Sequence, residues 1–337
     1  MKILLGIDVG SVSTNLVVVD KEGEVRDSLY LKTQGRPLQV LQEGLSIMAK
    51  RWEDCQVIGV GATGSGRRLA GAIVGADVIK NEITAHAVAA LKIEPQVKTV
   101  IEIGGQDSKI ILLRRGVVSD FAMNTVCAAG TGSFLDRQAA RLNIPIEEFG
   151  KLAQNATLSV QIAGRCAVFA ESDMIHKQQL GHKVEDLIYG LCEALVRNYL
   201  ANVAKGKDIQ APVLFQGGVA NNLGMKLAFE RALGFSIQVP PHHNVMGALG
   251  AALLAKRATR NRKSQFKGFS VSNLNYQVTG FTCSHCPNSC EILQISADGQ
   301  VCARWGGRCE RWNVDTTIKT VLGSRYGKAV DTKIAPC

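Results

Sequence analysis

A short apolar strand that runs into a turn of glycine and hydroxyl residues occurs twice in this chain. Residues 3–19 predict strand, turn and returning strand, and residues 100–113 repeat that order. Helix and strand patterns follow each unit: Pro37 opens a helix after the first, and residues 184–204 keep apolar i, i+3, i+4 spacing after the second. Two copies of one unit predict an α/β body whose halves face each other across a cleft.

Two glycine turns at strand ends suit phosphate binding, and a third suits the approach of a flat base or ribose. Glycine lets backbone N–H groups approach an anion, hydroxyl groups add donors, and an acid at a strand end can hold Mg²⁺ through water. The candidate nucleotide ligands lie in a first turn (Asp8, Gly10, Ser11, Ser13, Thr14), a second (Gly104, Gly105, Gln106, Asp107) and a third (Gly217, Gly218, Val219, Asn221). The sequence contains no G-x-x-x-x-G-K-[ST], which excludes a P-loop enzyme.

The positive charge of the chain is concentrated in its last quarter. The 337 residues carry a formal charge of +10, and residues 256–337 hold thirteen Lys or Arg against five Asp or Glu. The remainder carries only +2, which argues against a nucleic-acid-binding body.

The same region marks a change in composition. Residues 256–277 are polar, basic and poor in periodic apolar residues, which is typical of a linker. We expect a first α/β subdomain, a second one, a basic linker and a cysteine-rich module, at residues 1–82, 83–243, 259–276 and 277–337. A last helix, 244–258, is expected to pack back on the first subdomain.

Five of the ten cysteines lie between residues 283 and 309. Thiols clustered at this spacing rarely serve packing alone, and disulfides are disfavoured in the cytosol, so the cluster predicts a metal site. Zn²⁺ and an iron–sulfur cluster use the same thiolate ligands, and both remain open. Cys55 and Cys192 fit the interior, where free cysteine is common.

The body resembles a known group of ATPases. Its three turns are similar to the two phosphate motifs and the adenosine motif of the actin, hexokinase and Hsp70 superfamily. More narrowly, residues 1–258 resemble the ATP-dependent activators of 2-hydroxyacyl-CoA dehydratases and the ATPase subunits of benzoyl-CoA reductase. The resemblance rests on residues 63–67 (TGSGR), 81–86 (NEITAH), 103–109 (IGGQDSK), 124–132 (NTVCAAGTG), 164–173 (GRCAVFAESD) and 247–252 (GALGAA). It implies a duplicated ribonuclease-H-like fold that binds ATP or ADP with Mg²⁺.

The resemblance also implies a [4Fe–4S] cluster shared by a homodimer and held by Cys127 and Cys166 of each subunit. Both cysteines precede predicted helices, whose N-terminal ends stabilise thiolates. The implied activity is ATP-driven delivery of a low-potential electron to an iron–sulfur acyl-CoA dehydratase or related reductase, with reduced ferredoxin or flavodoxin as the donor. Family position nominates Glu82 or Asp107 to activate water, and Gln106 to orient it. For Glu82 and His86, one turn apart on a predicted helix, the alternative is that they only solvate that helix.

For the C-terminal module, the GGRC turn at residues 306–309 resembles a segment of larger activator relatives. That likeness favours Cys283, Cys286, Cys290 and Cys309 as the metal ligands, with Cys302 left over.

Two other functions stay open at this point. One is a small-molecule kinase of the same superfamily, although no loop suggests a sugar pocket. The other is a zinc-containing ATPase that regulates or acts as a scaffold. Residues 1–8 predict a strand rather than a signal peptide, and no apolar run reaches membrane-spanning length, so we expect a cytoplasmic protein without a membrane partner. Few aromatic residues accompany the basic tail, so nucleic acid is not an expected partner.

Overall fold

The computed structural model describes residues 1–124 and 130–315, which form two α/β halves and a third, smaller sheet. Within those residues no helix combines the length and the apolar character that crossing a membrane requires.

The first half is a five-stranded sheet with helices on its faces. Its strands are β1 (Lys2–Val9), β2 (Ser13–Val19), β3 (Val25–Lys32), β4 (Gln56–Thr63) and β5 (Val78–Ile79), in the spatial order β3-β2-β1-β4-β5. The first three pair antiparallel, and β4 and β5 run parallel to β1. The helices are α1 (Pro37–Arg51), α2 (Arg67–Val74) and α3 (Glu82–Ile93).

The second half repeats this plan. Its strands are β6 (Thr99–Ile103), β7 (Ser108–Arg114), β8 (Val117–Asn124) and β9 (Val213–Gln216), in the order β8-β7-β6-β9. Three antiparallel strands and one parallel neighbour reproduce the arrangement of β3-β2-β1-β4. The helices are α4 (Gly132–Arg141), α5 (Ile146–Leu152), α6 (Ala167–Gln179), α7 (Val184–Asn202) and α8 (Leu223–Leu233). The predicted duplicated α/β body is confirmed.

The helix α9 (Met246–Ala258) returns to the first half and packs on β1, β4 and α3. Glycines make this close approach possible. A Cβ atom added to Gly6 on β1 would overlap the carbonyl oxygen of Ala248, and one added to Gly61 on β4 would overlap that of Ala251. The chain therefore leaves the first half after α3 and re-enters it at α9.

The basic segment 259–276 is tied to the first half. The carboxylate of Asp77 accepts hydrogen bonds from the Ser264 hydroxyl at 2.6 Å and from the Gln265 N–H at 2.9 Å. The Lys267 ammonium donates to the carbonyl of Ala72 at 2.6 Å. These contacts show that the segment packs against the body, a feature that its polar sequence did not reveal.

The third sheet contains β10 (Tyr276–Thr282), β11 (Glu291–Ala297), β12 (Gln300–Trp305) and β13 (Val314–Asp315), paired antiparallel in that order. The hairpin turn falls at Asp298 and Gly299, as the sequence predicts. Ile295, Ala297 and Cys302 are buried and join the apolar core of the first half. The module is therefore packed on the body as well as joined to it.

Candidate nucleotide and metal sites

The phosphate-type turns of the two halves meet at one cleft. The β1–β2 turn, the β6–β7 turn and the turn after β9 all line it, together with the start of α3. A Cβ atom added to Gly105 would lie 2.6 Å from Cγ1 of Val12, so the two turns are in contact across the junction of the halves. A ligand in this cleft touches both halves at once.

Four carboxylates and one ammonium group occupy the floor of this cleft. The carboxylates belong to Asp8 and Glu82 of the first half and to Glu102 and Asp107 of the second. The Nζ atom of Lys109 lies 2.9 Å from Oε2 of Glu82, 2.9 Å from Oε2 of Glu102 and 2.8 Å from Oδ2 of Asp107. Ion pairs thus cross from one half to the other.

Burial and crowding shift the protonation of these groups. Burial of its carboxyl group, reinforced by Glu82, raises the pKa of Asp8 to about 7. Burial likewise raises the pKa of Glu102 to about 7, although Lys109 opposes the shift. Burial acts against the charge of Lys109, but its three carboxylate partners hold the pKa of that ammonium above its ordinary value. The cleft can therefore take up or release protons near neutral pH.

His86 faces the same cleft from α3. Its ring Nδ1 lies 3.2 Å from Nε2 of Gln216, and burial lowers the pKa of the imidazole to about 3. The ring is thus buried and neutral, so the alternative that His86 only solvates its helix is wrong.

A cavity of about 430 Å³ continues from the cleft. Tyr30, Leu135, Val219 and Asn221 line it, and it shares Gly104, Gly105 and Gly218 with the cleft. A cavity with both apolar and polar walls suits a flat base and a ribose. It adjoins the turns that suit phosphates.

Most of the predicted nucleotide ligands come together. Ten of them line the cleft, namely Asp8, Gly10, Ser11, Ser13, Gly104, Gly105, Gln106, Asp107, Gly217 and Gly218, and so does Glu82. Val219 and Asn221 line the adjoining cavity. Thr14 does not line either one. Its side chain is fully buried and its hydroxyl pairs with that of Thr33 at 3.0 Å, because β2 turns this residue inward.

The donor set of the cleft fits a hard divalent cation. Carboxylate oxygens are the ligands that Mg²⁺ prefers, and four carboxylates line the cleft. The carbonyl oxygen Oδ1 of Asn15 is also buried at this wall, and it has no hydrogen-bond partner among the described residues.

Lys109 and Asn15 were not among the residues predicted from the sequence. Lys109 belongs to the segment 103–109 that carries the family resemblance, but its partners lie up to 27 positions away in sequence. Residue spacing gives no sign that one ammonium would reach three carboxylates, so only the folded arrangement reveals the cluster.

Of the two predicted bridging cysteines, the structure describes Cys166, while Cys127 lies outside the described residues. Cys166 is free and partly exposed at the N-cap of α6, as predicted. The side chains that follow it, Val168 and Phe169, are 69% and 66% exposed. An accessible thiol is thus placed at a helix N-terminus beside exposed apolar groups.

Asn198 on α7 contacts the loop that leads to Cys166. Its Nδ2 donates a hydrogen bond to the carbonyl of Gly164 at 2.6 Å, two residues before Cys166. The position of this loop is therefore linked to that of α7.

The four thiols predicted as C-terminal ligands line one cavity of about 200 Å³. They are Cys283, Cys286, Cys290 and Cys309, whereas Cys302 is buried elsewhere in the core. The indole N–H of Trp312 donates to Sγ of Cys283 at 3.2 Å. Across residues 1–124 and 130–315, no three Cys, His, Asp or Glu side chains are grouped closely enough to hold a metal ion as they stand.

Residues 5–255 match the BadF/BadG/BcrA/BcrD ATPase family. The chain belongs to this family. It is 38% identical to the (R)-2-hydroxyglutaryl-CoA dehydratase activating ATPase of Acidaminococcus fermentans, over 76% of this chain and 98% of that protein. It is 32% identical to the 2-hydroxyisocaproyl-CoA dehydratase activator of Clostridioides difficile, over 78% of this chain and 98% of that protein. The resemblance to acyl-CoA dehydratase activators is confirmed.

Solved structures of the family have the same fold. The component A structure from Acidaminococcus fermentans superposes with a TM-score of 0.70 at 34% identity, covering 77% of this chain and all of that one. The activator from Clostridium difficile with bound ADPNP gives 0.69 at 32% identity, covering 77% and 96%. A glucokinase from Streptomyces griseus gives 0.50 at 15% identity, a likeness of fold alone that covers 76% and 99%. The predicted hexokinase-type duplication is confirmed.

The first prediction concerns Asp8. Its pKa is about 7 in the folded protein against an ordinary value of 3.8. The folded state therefore loses stability relative to the unfolded state as the pH rises between these two values. The Asp8→Asn substitution removes this titration. We expect the nucleotide-free variant to gain free energy of unfolding relative to the wild type, with a larger gain at pH 8 than at pH 5. Urea unfolding at both pH values measures the gain.

Asp54→Asn, at an exposed position, is the matched control. An Asp8→Asn gain of equal size at the two pH values would contradict the account.

Proposed function

We propose that this protein is an ATP-driven, low-potential one-electron donor that activates a partner iron–sulfur enzyme. The observation that carries the proposal is the cleft in which glycine turns of both halves meet over four carboxylates. A relative of the same fold has been solved with bound ADPNP. A nucleotide that contacts both halves at their junction can change the angle between them.

ATP or ADP with Mg²⁺ is the proposed ligand of the cleft. The turns at Gly10 and Gly104 would hold the phosphates, and the cavity at Val219 the adenosine. Asp8 would hold Mg²⁺ directly or through water. The activation of water is assigned to Glu82 or Asp107, with Gln106 orienting it, because all three line the cleft.

A [4Fe–4S] cluster is the proposed redox group. Such a cluster takes four thiolates, and two subunits related by a two-fold axis would supply Cys127 and Cys166 twice. The exposed apolar side chains of Val168 and Phe169 beside Cys166 support a subunit interface at this point. When bound, the cluster supplies the one-electron couple.

Two neighbouring residues of α7 connect the nucleotide cleft with the loop before Cys166. The Tyr199 hydroxyl donates to the backbone carbonyl of Lys109 at 2.8 Å, and the Asn198 amide donates to the carbonyl of Gly164. A shift of β7 on hydrolysis would thus reach the loop before Cys166 through one rigid helix. If this shift lowered the one-electron potential of the cluster by about 0.2 V, it would require roughly 5 kcal/mol of free energy.

The proposed acceptor is an iron–sulfur acyl-CoA dehydratase or related reductase. Two relatives are named for their action on such dehydratases, and another is named as part of a benzoyl-CoA reductase. Reduced ferredoxin or flavodoxin is the proposed donor, and the cytoplasm the proposed compartment.

The second prediction tests the bridging cluster. Anaerobically purified wild type should be a brown dimer in which the bridging cluster accounts for about four iron and four sulfide per two chains. Cys166→Ala should lose that amount of iron and sulfide and the visible absorbance that belongs to it, because one substitution removes two of the four bridging thiolates from the dimer. Iron and sulfide analysis with size-exclusion chromatography measures both.

Cys55→Ala changes a partly buried thiol that lines no described cavity, and it should keep full iron and sulfide content. If Cys166→Ala also keeps full content, the bridging assignment is wrong.

We also propose a separate metal on Cys283, Cys286, Cys290 and Cys309. Their common cavity supports this, and so does the N–H donor aimed at Sγ of Cys283, since such donors accompany thiolate ligands. The thiols line the cavity without forming a closed set, so metal binding would itself draw them together. Zn²⁺ and an iron–sulfur cluster both remain candidates.

The third prediction separates this metal from the bridging cluster. Cys290→Ser should remove the C-terminal metal and leave the iron and sulfide bridged by Cys166 in place. Cys302→Ala, which changes a buried thiol of the same module, should keep both. Metal analysis by mass spectrometry measures each, and unchanged metal content in Cys290→Ser would contradict the site.

A further inference from the structure

Lys109 is a buried cation in a cleft that otherwise offers ligands for a metal. Its side chain is 3% exposed, and its ammonium group contacts one oxygen of each of three carboxylates, from Glu82, Glu102 and Asp107. An ammonium group has three N–H donors, so these three contacts use all of them. The ammonium group of Lys109 therefore has no N–H donor left for another partner.

The charge balance of the cleft depends on this one side chain. Among the described residues that line the cleft, Lys109 is the only Lys or Arg, and it faces four carboxylates. The guanidinium of Arg67 is nearby but donates to the carbonyl of Gly64 at 3.0 Å. A buried carboxylate without a countercharge is costly, so the charge of these acids must be balanced by Lys109, by another cation or by protonation.

Lys109 contacts carboxylate oxygens that a divalent cation would also use. Mg²⁺ and Mn²⁺ bind such oxygens, and three of them, from different side chains, surround Nζ of Lys109 at 2.8–2.9 Å without forming a closed metal site as they stand. The ammonium group and a metal ion cannot both bind the same oxygens strongly, because the two cations repel each other. A metal that arrives alone must therefore compete with an internal cation.

We propose that Lys109 acts as a built-in countercation that blocks divalent-metal binding to the nucleotide-free cleft. It thereby makes metal binding conditional on the nucleotide, whose phosphates bring the additional oxygen ligands. This inference rests on the proposed nucleotide function of the cleft. Lys109 is then a positioning residue that couples the binding of two ligands, and the coupling must be reciprocal.

The fourth prediction tests this role with Mn²⁺ as the probe and no nucleotide present. Lys109→Met frees the carboxylate oxygens, so its affinity for Mn²⁺ should exceed that of the wild type by about tenfold or more, within the usual range of coupling between sites. Free Mn²⁺ is counted from its EPR signal during titration of the full-length protein.

Adding ADPNP should raise the Mn²⁺ affinity of the wild type much more than that of Lys109→Met, a difference that a merely structural role would not produce. Lys92→Met removes an outlying lysine that pairs with Glu24, and it should behave as the wild type does.

If Lys109→Met does not fold, the double variant Lys109→Met/Glu102→Gln decides the question. It removes one buried negative charge with the positive one and still frees Glu82 and Asp107, so it too should bind Mn²⁺ more tightly than the wild type. The proposal is overturned if the folded variants gain no Mn²⁺ affinity, or if the nucleotide-free wild type already binds as tightly. Failure of the wild type to bind ADPNP in calorimetry would instead refute the nucleotide function.

Discussion

The ammonium group of Lys109, held among carboxylates of both halves, is the interaction on which the arrangement of the cleft depends. Glu82 begins α3 in the first half, while Glu102 and Asp107 lie on either side of the second phosphate-type turn. Without a cation between them, these acids would repel one another across the junction. In the proposed function, a nucleotide would enter a place where charge balance already links the two halves, and its hydrolysis would change that balance.

The second half offers a route by which such a change would reach Cys166. The helix α7 contacts the strand of Lys109 through Tyr199 and the Cys166 loop through Asn198, at adjacent positions of one helix. A rigid helix that contacts both β7 and the Cys166 loop can transmit a movement from a nucleotide site to a redox group. Phe169, three positions after Cys166, is exposed and would face the second subunit of the proposed dimer.

Sequence reasoning predicted the local units well because their signals are local. Apolar strands, glycine turns and the hairpin turn at Asp298 and Gly299 depend on neighbours in the chain. Lys109 could not be assigned its role, since its partners come from separate elements that only the fold brings together. Thr14 was misplaced for a related reason: its hydroxyl looked available for phosphate, whereas β2 turns it towards Thr33.

The basic segment 259–276 also differs from what its sequence predicted. Its composition predicted a linker, yet Asp77 of the first half accepts hydrogen bonds from Ser264 and Gln265 and fixes its path. The cysteine-rich sheet is consequently attached to the ATPase body by both packing and hydrogen bonds. Hydrophobic pattern alone did not show this, because the attachment uses one buried face of the third sheet and individual hydrogen bonds such as those of Asp77 and Lys267.

The central claim is that nucleotide hydrolysis drives electron transfer from the cysteine-held cluster. Its most direct test follows the EPR signal of the reduced, anaerobic dimer after mixing with a 2-hydroxyacyl-CoA dehydratase and either ATP or ADPNP. The account predicts that the reduced-cluster signal disappears in step with ATP hydrolysis and persists with ADPNP. Disappearance at the same rate without nucleotide, or persistence while ATP is hydrolysed, would contradict it.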